Sequence, residues 1–201
     1  ESHRIGRLYR GNKKNGVYEE WYDLDPHSLA HRSYHKGGKN IRTSQSWHPN
    51  GQLKSKHTYD KEGKIDGEVV MYYSDGQLEE RHEYAHGKRE GKSEYWYQDG
   101  TMSSMAYYKD GKPHGLTAEF YMSGLIKDVS MIDNSEIEWS RKYHVNGTLR
   151  EVSYKGKDFS SLETWDRDGT IAYRAKSSDS QKSMIFFKDG YVTRLAVLHK
   201  Y

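Results

Sequence analysis

Aromatic, turn-forming and aliphatic positions recur along this chain in a fixed order. Aligning on Gly51, Gly76, Gly100, Gly124, Gly147, Gly169 and Gly190 gives spacings that shrink from 25 to 21 residues. Four positions before these glycines stand Trp47, Tyr72, Trp96, Phe120, Tyr143, Trp165 and Phe186, all aromatic. Two positions after them stand Leu53, Leu78, Met102, Ile126, Leu149, Ile171 and Val192, all apolar. The residue before each glycine is Asn50, Asp75, Asp99, Ser123, Asn146, Asp168 or Asp189. Asp-Gly and Asn-Gly between apolar positions are strong hairpin markers, so each unit predicts strand, tight turn, strand.

The six-residue gap between the two apolar columns selects the turn. A two-residue loop on Asp75-Gly76 would set Tyr72 opposite Glu79 and put the columns on opposite faces. A three-residue loop, Ser74-Asp75-Gly76, sets Tyr72 opposite Leu78 and keeps them on one face. That geometry is a type I turn with glycine left-handed, forming a bulge. It is the expected one, because it buries an aromatic–aliphatic cross-strand pair in every hairpin.

The second half of the unit closes on tyrosine and a looser turn. Tyr59, Tyr84 and Tyr108 precede "DKEGK", "AHGK" and "KDGK", which lead to Gly67, Gly91 and Gly115; Tyr154 with "KGK" is a shorter version. Side by side, such units predict an all-β fold: a single elongated, twisted antiparallel meander of stacked β-hairpins, about 7–8 repeats long. The expected division is one domain over 1–201. It has a partial repeat at 1–16 and repeats near 17–40, 41–64, 65–88, 89–112, 113–135, 136–157 and 158–180, with a capping repeat at 181–201. Gly6 and Leu8 read as the second half of a unit. Trp21 and Leu29 are eight apart rather than six, so "DLDPH" predicts a longer loop. "DGYVTRLAVLHKY" is the most apolar strand pair and reads as a cap.

Composition sharpens this. Only 33% of the 201 residues are apolar, below the roughly 45–50% of ordinary globular domains. Yet 18 Tyr, 5 Trp and 4 Phe are too many for a chain that never folds. A thinly cored repeat array satisfies both observations. The net charge of +3 comes from 32 basic and 29 acidic residues interleaved, with no basic stripe of the kind that tracks nucleic-acid phosphates. No apolar run approaches the length of a membrane helix. With no cysteine, disulfides, thiolate nucleophiles and Cys-based zinc sites are excluded. The opening "ESHRIGRLYRG" carries neither initiator Met nor signal peptide. A processed chain or a trimmed one would begin so; the missing Met leans toward an exported, periplasmic protein, the alternative being a cytoplasmic one.

The pattern Gly-x4-(Trp/Tyr/Phe)-x3-Gly-x-(Leu/Ile/Met), followed by Tyr-x2-Gly-Lys-x2-Gly, resembles the MORN repeat. More closely it resembles the bacterial MORN variant often associated with antitoxin and immunity proteins. The clearest copies are "DGEVVMYYSDGQLEERHEYAHGK" at 66–88, "EGKSEYWYQDGTMSSMAYYKDGK" at 90–112 and "HGLTAEFYMSGLIKDVSMI" at 114–132, with degenerate copies over most of 5–195. MORN arrays also serve as scaffolds and membrane-associated modules.

Candidate chemistry is sparse. His27, His31 and His35 are spaced for a zinc-binding helix face, but the alignment puts His31 and His35 on a strand, about 13 Å apart, so no metal or cofactor is expected. "HGKREGKS" at 86–93 lacks the first glycine of a phosphate loop. Asn146-Gly147-Thr148 has the form of a glycosylation acceptor, but its asparagine sits in the turn column. Asp75, Asp99, Asp168 and Asp189 are explained by turn chemistry. No catalytic triad order or nucleophile elbow is present, and an enzyme is not expected.

The positions directly after the core aromatics are Tyr22, His48, Tyr73, Tyr97, Tyr121, His144, Asp166 and Phe187. Strand alternation places this row on the face opposite the aromatic columns. Tyr95 and Met71 lie two residues earlier, and Glu79, Arg81, Lys127 and Arg150 flank the strip. Tyrosine and arginine are favoured at protein interfaces, so Tyr73, Tyr97, Tyr121, Tyr95, Met71, His48, His144 and Arg81 are the candidate partner-binding residues. Cross-strand tyrosines that merely stabilise a one-layer sheet would look the same. The resemblance implies an immunity or antitoxin-like protein that binds a cognate toxin one-to-one and occludes its active site. The alternative is a scaffold or envelope-associated module. For that module the basic turns Lys88-Arg89 and Lys112 would touch anionic headgroups weakly, given the near balance of charge.

Overall fold

The structure, a computed structural model, describes residues 5–12, 15–23, 28–133, 136–178, 181–188 and 191–199, with side chains described for 15–23, 28–133, 136–178 and 183–185. The predicted "DLDPH" loop, His27, Asp189 and Gly190 fall wholly or largely outside them. Every described element is a strand, and the chain forms two compact units. The first comprises Glu1–Thr101 with Tyr108–Gly111, the second Met102–Tyr107 with Lys112–Tyr201.

In the first unit, β1 (Ile5–Asn12), β2 (Asn15–Tyr22), β3 (Leu29–Lys36) and β4 (Lys39–Trp47) follow one another in sequence order. After them come β5 (Leu53–Tyr59), β6 (Gly67–Tyr72), β7 (Leu78–Ala85) and β8 (Lys88–Trp96). Each pairs antiparallel with the next, a meander without crossovers. The second unit takes residues 102–107 of β9 (Met102–Lys109), then β10 (Lys112–Phe120), β11 (Ile126–Asp133), β12 (Glu136–Tyr143) and β13 (Leu149–Lys155). It ends with β14 (Phe159–Trp165), β15 (Ile171–Ser178), β16 (Gln181–Lys188) and β17 (Tyr191–His199). From β10 onward these again pair antiparallel in chain order. The antiparallel meander of stacked hairpins that the repeat predicts is thus present in each unit.

The turn geometry is the three-residue one. Tyr72 stands opposite Leu78 with a register shift behind it, and the same pairing joins Trp47 to Leu53, Phe120 to Ile126, Tyr143 to Leu149 and Trp165 to Ile171. The Gly76 N–H donates to the Tyr73 carbonyl at 3.0 Å and the Tyr73 N–H to the Gln77 carbonyl at 2.9 Å. Gly76 has φ +89°, the left-handed conformation that a Cβ penalises. Turn aspartates act as expected: Asp75 Oδ1 accepts the Gln77 N–H at 3.0 Å, and Asp99 and Asp168 do the same for Thr101 and Thr170. At the other edge, His86 (φ 50°) and Gly87 (φ 87°) form a two-residue hairpin closed by the Ala85–Lys88 pair.

Two hairpins depart from the common register. Trp21 pairs with Leu29 across the longer loop, as its spacing predicts. The last hairpin differs from the alignment: Phe187, not Phe186, stands opposite Val192, and Lys188 pairs with Tyr191. Adjacent phenylalanines put an aromatic residue opposite Val192 in this register, although the alignment predicts Phe186 there.

Strand pairing sorts side chains onto two faces. One carries the aromatic–aliphatic pairs, and these rings are half-buried. It also holds two buried carboxylates: Glu19, bound by Arg32 at 2.7 Å, and Glu94, bound by Lys92 and by Arg81 at 3.7 Å. The other carries a middle row of buried polar side chains, mostly serines. In the first unit Ser33 is cross-strand from Ser44, and His82 from Ser93; in the second, Ser130 from Ser140. Burial of these serines beside half-exposed rings makes the middle of this face a trough.

Candidate interaction face

The row following the core aromatics does not lie on the strand pleat. Apart from Tyr22 and Phe187, its members begin the turns, so alternation does not govern where their side chains go. Tyr22 Oη donates to the Trp47 carbonyl at 2.9 Å and Tyr73 Oη to the Trp96 carbonyl at 2.8 Å. His48 Nε2 meets the Tyr72 carbonyl at 2.8 Å, and because a carbonyl only accepts, that nitrogen carries the proton. In the second unit Tyr121 Oη donates to the Tyr143 carbonyl at 2.8 Å and His144 Nε2 to the Trp165 carbonyl at 3.1 Å. Each bond reaches from one hairpin to the core aromatic of the next, satisfying a strand-end carbonyl. Tyrosine and histidine both serve in this column because each places a donor at the far end of a planar ring.

The remaining candidates separate. Tyr97 opens its turn, its N–H donating to the Thr101 carbonyl at 2.8 Å, and is half-buried. Met71 is cross-strand from Glu80, and Glu80 from Tyr95, so Met71 and Tyr95 share the trough face. Arg81 is adjacent to Glu80 and therefore points the other way, where its Nε lies 3.2 Å from Glu68 and its guanidinium 5.8 Å from the Trp96 ring. The structure puts Met71 and Tyr95 on one face, on either side of Glu80, and Arg81 on the other.

Around Tyr95 the trough carries groups that the sequence pattern alone did not single out. His82, 2% exposed, packs between Tyr84 and Tyr95 with ring centroids 6.4 and 5.1 Å away, and its Nε2 bonds Glu80 at 2.8 Å. Arg89 Nε reaches the Tyr84 hydroxyl and Nη1 the Tyr108 hydroxyl, both at 3.4 Å, with the guanidinium 5.2 Å from the Tyr108 ring. Burial pushes the Tyr95 phenol above the ordinary range, with Arg89 opposing. Tyr84 and Tyr108 stand out in the sequence as turn markers. Arg89 is legible only as an exception, since neighbouring repeats place Ile65 and Pro113 at its position.

Further along the same face, Tyr18 lies 6.0 Å from His31 and 6.2 Å from His35, which separates the two imidazoles. At one edge a pocket of about 560 Å³ is lined by Lys36, Lys39, Arg42, Tyr59, Asp60 and Lys61. In the second unit a groove of the same size is lined by Glu119, Lys127, Asp128, Lys142 and Arg150 among others. There Lys127 bonds Glu119 at 2.9 Å and Lys142 bonds Glu151 at 2.8 Å.

Fold and face together define a β-hairpin repeat array. Three consecutive stretches of it, residues 43–61, 65–86 and 89–110, match the MORN repeat variant. A match of this kind implies a repeat-based binding module, and proteins of this repeat class are generally binding modules rather than enzymes. Curated proteins produced no significant match to the chain.

Proposed function

We propose that this chain is a non-enzymatic protein-binding repeat array that neutralises a cognate toxin or effector, one-to-one, by covering its active-site mouth. The observation carrying it is the trough of the first unit. Half-exposed Tyr84, Tyr95, Tyr108 and Arg89 stand on a floor held by cross-strand pairing, so little order is lost on binding. Aromatic residues and arginine in a pre-ordered concavity are what interface hot spots are made of. The hairpin-to-hairpin bonds of Tyr73 and Tyr121 add stiffness, and their rings can also meet a partner.

The test uses the full chain as bait at high salt, followed by assay of the isolated partner with and without it. One stoichiometric partner whose activity the chain abolishes supports the proposal; a partner that keeps full activity in the complex sinks it. The second reading, a scaffold at an anionic membrane, draws on the basic pocket of Lys36, Lys39, Arg42 and Lys61. Binding to anionic vesicles that fades as salt rises, with no protein partner, would favour that reading.

A further inference from the structure

We propose that Arg89 is the centre of an acid-reading site in the first unit, receiving a carboxylate from an extended acidic segment of a partner protein. This rests on the protein-binding proposal above and names the chemistry of what is bound.

Arg89 is a half-buried cation held by neutral groups. Its two side-chain acceptors are the Tyr84 and Tyr108 hydroxyls, which use two of a guanidinium's five N–H donors. Arg32, Arg81 and Arg174 each lie within ion-pair distance of a glutamate; among the described residues Arg89 has no such partner. Nearby carboxylates are engaged elsewhere: Glu83 accepts the Lys92 N–H at 3.1 Å and Glu90 the Asp110 N–H at 2.7 Å. The side chain is therefore oriented and half-buried, and no carboxylate is paired with it. An incoming acid would find the guanidinium already held in place.

A second observation lies on the floor of the same trough. His82 Nδ1 and Ser93 Oγ are buried without a hydrogen-bond partner, and the two residues are cross-strand neighbours, 2% and 0% exposed. Tyr84 and Tyr95 border them. Buried polar atoms left unmet are uncommon, and here they sit beside an unneutralised arginine.

The local field selects the kind of acid. Glu90 follows Arg89 in sequence, Glu83 precedes its cross-strand partner Tyr84, Glu80 is cross-strand from Tyr95, and Lys88 is paired with Asp110 at 3.2 Å. One free positive charge among several negative ones matches a single carboxylate better than a doubly charged phosphate or an anionic bilayer. A guanidinium fork also meets a carboxylate in bidentate fashion. The floor of His82 and Ser93, bordered by the rings of Tyr84 and Tyr95, is where an extended segment would lie.

The test displays a random decapeptide library against the full chain and against its Arg89→Gln variant, each checked for an unchanged thermal melt. The expected result is roughly fivefold or greater enrichment of Asp and Glu on the native chain, lost with Arg89→Gln. Substituting Gln for the acidic residue of the best peptide should weaken it by about tenfold. Arg89→Lys, which keeps the charge without the fork, should lose most of the preference, and it serves if Arg89→Gln melts early. Enrichment of non-acidic peptides equally by both chains overturns the acid-reading site while leaving the binding-module proposal standing. Absence of enrichment by either chain overturns it too. So does Arg89-dependent binding to phosphatidylserine vesicles without acidic peptides, which would assign the arginine to a membrane.

Discussion

The hydroxyl of Tyr73 donates to the carbonyl of Trp96 at 2.8 Å, tying the turn of one hairpin to the core aromatic of the next. Local strand pairing does not supply this bond, since the residues are 23 apart in sequence. Tyr22 with Trp47 and Tyr121 with Tyr143 repeat it. Stability in such an array is a sum of repeat and nearest-neighbour terms, and these bonds belong to the second kind. Tyr73→Phe should therefore cost about 1 kcal/mol, and Tyr73→Ala about 2–3 kcal/mol through lost ring packing as well. Urea denaturation measures both, and a neutral Tyr73→Phe would show the hydroxyl to be dispensable.

Arg42 occupies a bulge position that other repeats give to Gly67, Gly91 and Gly115. Its φ is +63°, a conformation that costs a side-chain-bearing residue energy. Arg42→Gly should stabilise the chain by about 1 kcal/mol, seen as a higher urea midpoint. An unchanged or lower midpoint would mean that the arginine side chain compensates for its own backbone.

Much of the hairpin level is readable from residue types because turn chemistry is local. Asp75-Gly76 between Tyr72 and Leu78 specifies loop length, bulge and register together, and no distant residue is needed. The hairpin-to-hairpin level is different. That Tyr73 leaves the pleat and bonds Trp96 depends on its being a turn residue rather than a strand residue, a distinction of one position. Applying strand alternation one residue too far puts Tyr73, His48 and His144 on a free face, where the structure gives them folding partners. Arg81 does not face the same way as Met71 and Tyr95, because the bulge beside Leu78 shifts the alternation by one residue. The final hairpin shows the limit of alignment, since Phe186 and Phe187 both satisfy an aromatic column and only pairing decides between them.

The core aromatics are half-buried, which moderates what their removal costs. Trp96 shares its face with Arg81, whose guanidinium lies 5.8 Å from the ring. Trp96→Ala should destabilise by about 2–3 kcal/mol, below the 3–5 of a fully enclosed tryptophan. A loss under about 0.5 kcal/mol, typical of an exposed surface position, would place the stabilising packing on the trough face instead.

The turn carboxylates make stability depend on pH at the acid end. Asp75 is held below the usual range by its bonds to Gln98 and the Gln77 N–H, and Asp168 by the Thr170 N–H and hydroxyl. A folded-state value below the unfolded one means the contribution is present above about pH 4 and is lost as pH falls through the folded value. Both groups are exposed, so each effect is small. Asp75→Asn with Asp168→Asn keeps an acceptor in each turn but removes the titration. The urea midpoint of the double variant should change less between pH 5 and 3 than that of the native chain, and equal slopes would exclude these two groups as its source.

Histidines on the trough face act in a higher window. Burial lowers His57, with His31 adding repulsion, and burial also lowers His31 against the opposing pull of Glu20. Both are thus favoured neutral in the folded chain. Their contribution is complete above the ordinary histidine value near 6.5 and drains away as pH falls through it toward the lower folded values. Ser44 lies directly cross-strand from His57, and Tyr59 stacks on it with ring centroids 6.5 Å apart, so protonation places charge on the buried middle row. Replacing both histidines with glutamine removes the titration while keeping a polar side chain at each site. Melting temperature should then change less between pH 7.5 and 5.5 than in the native chain. A drop of the same size in both would trace the loss to other groups.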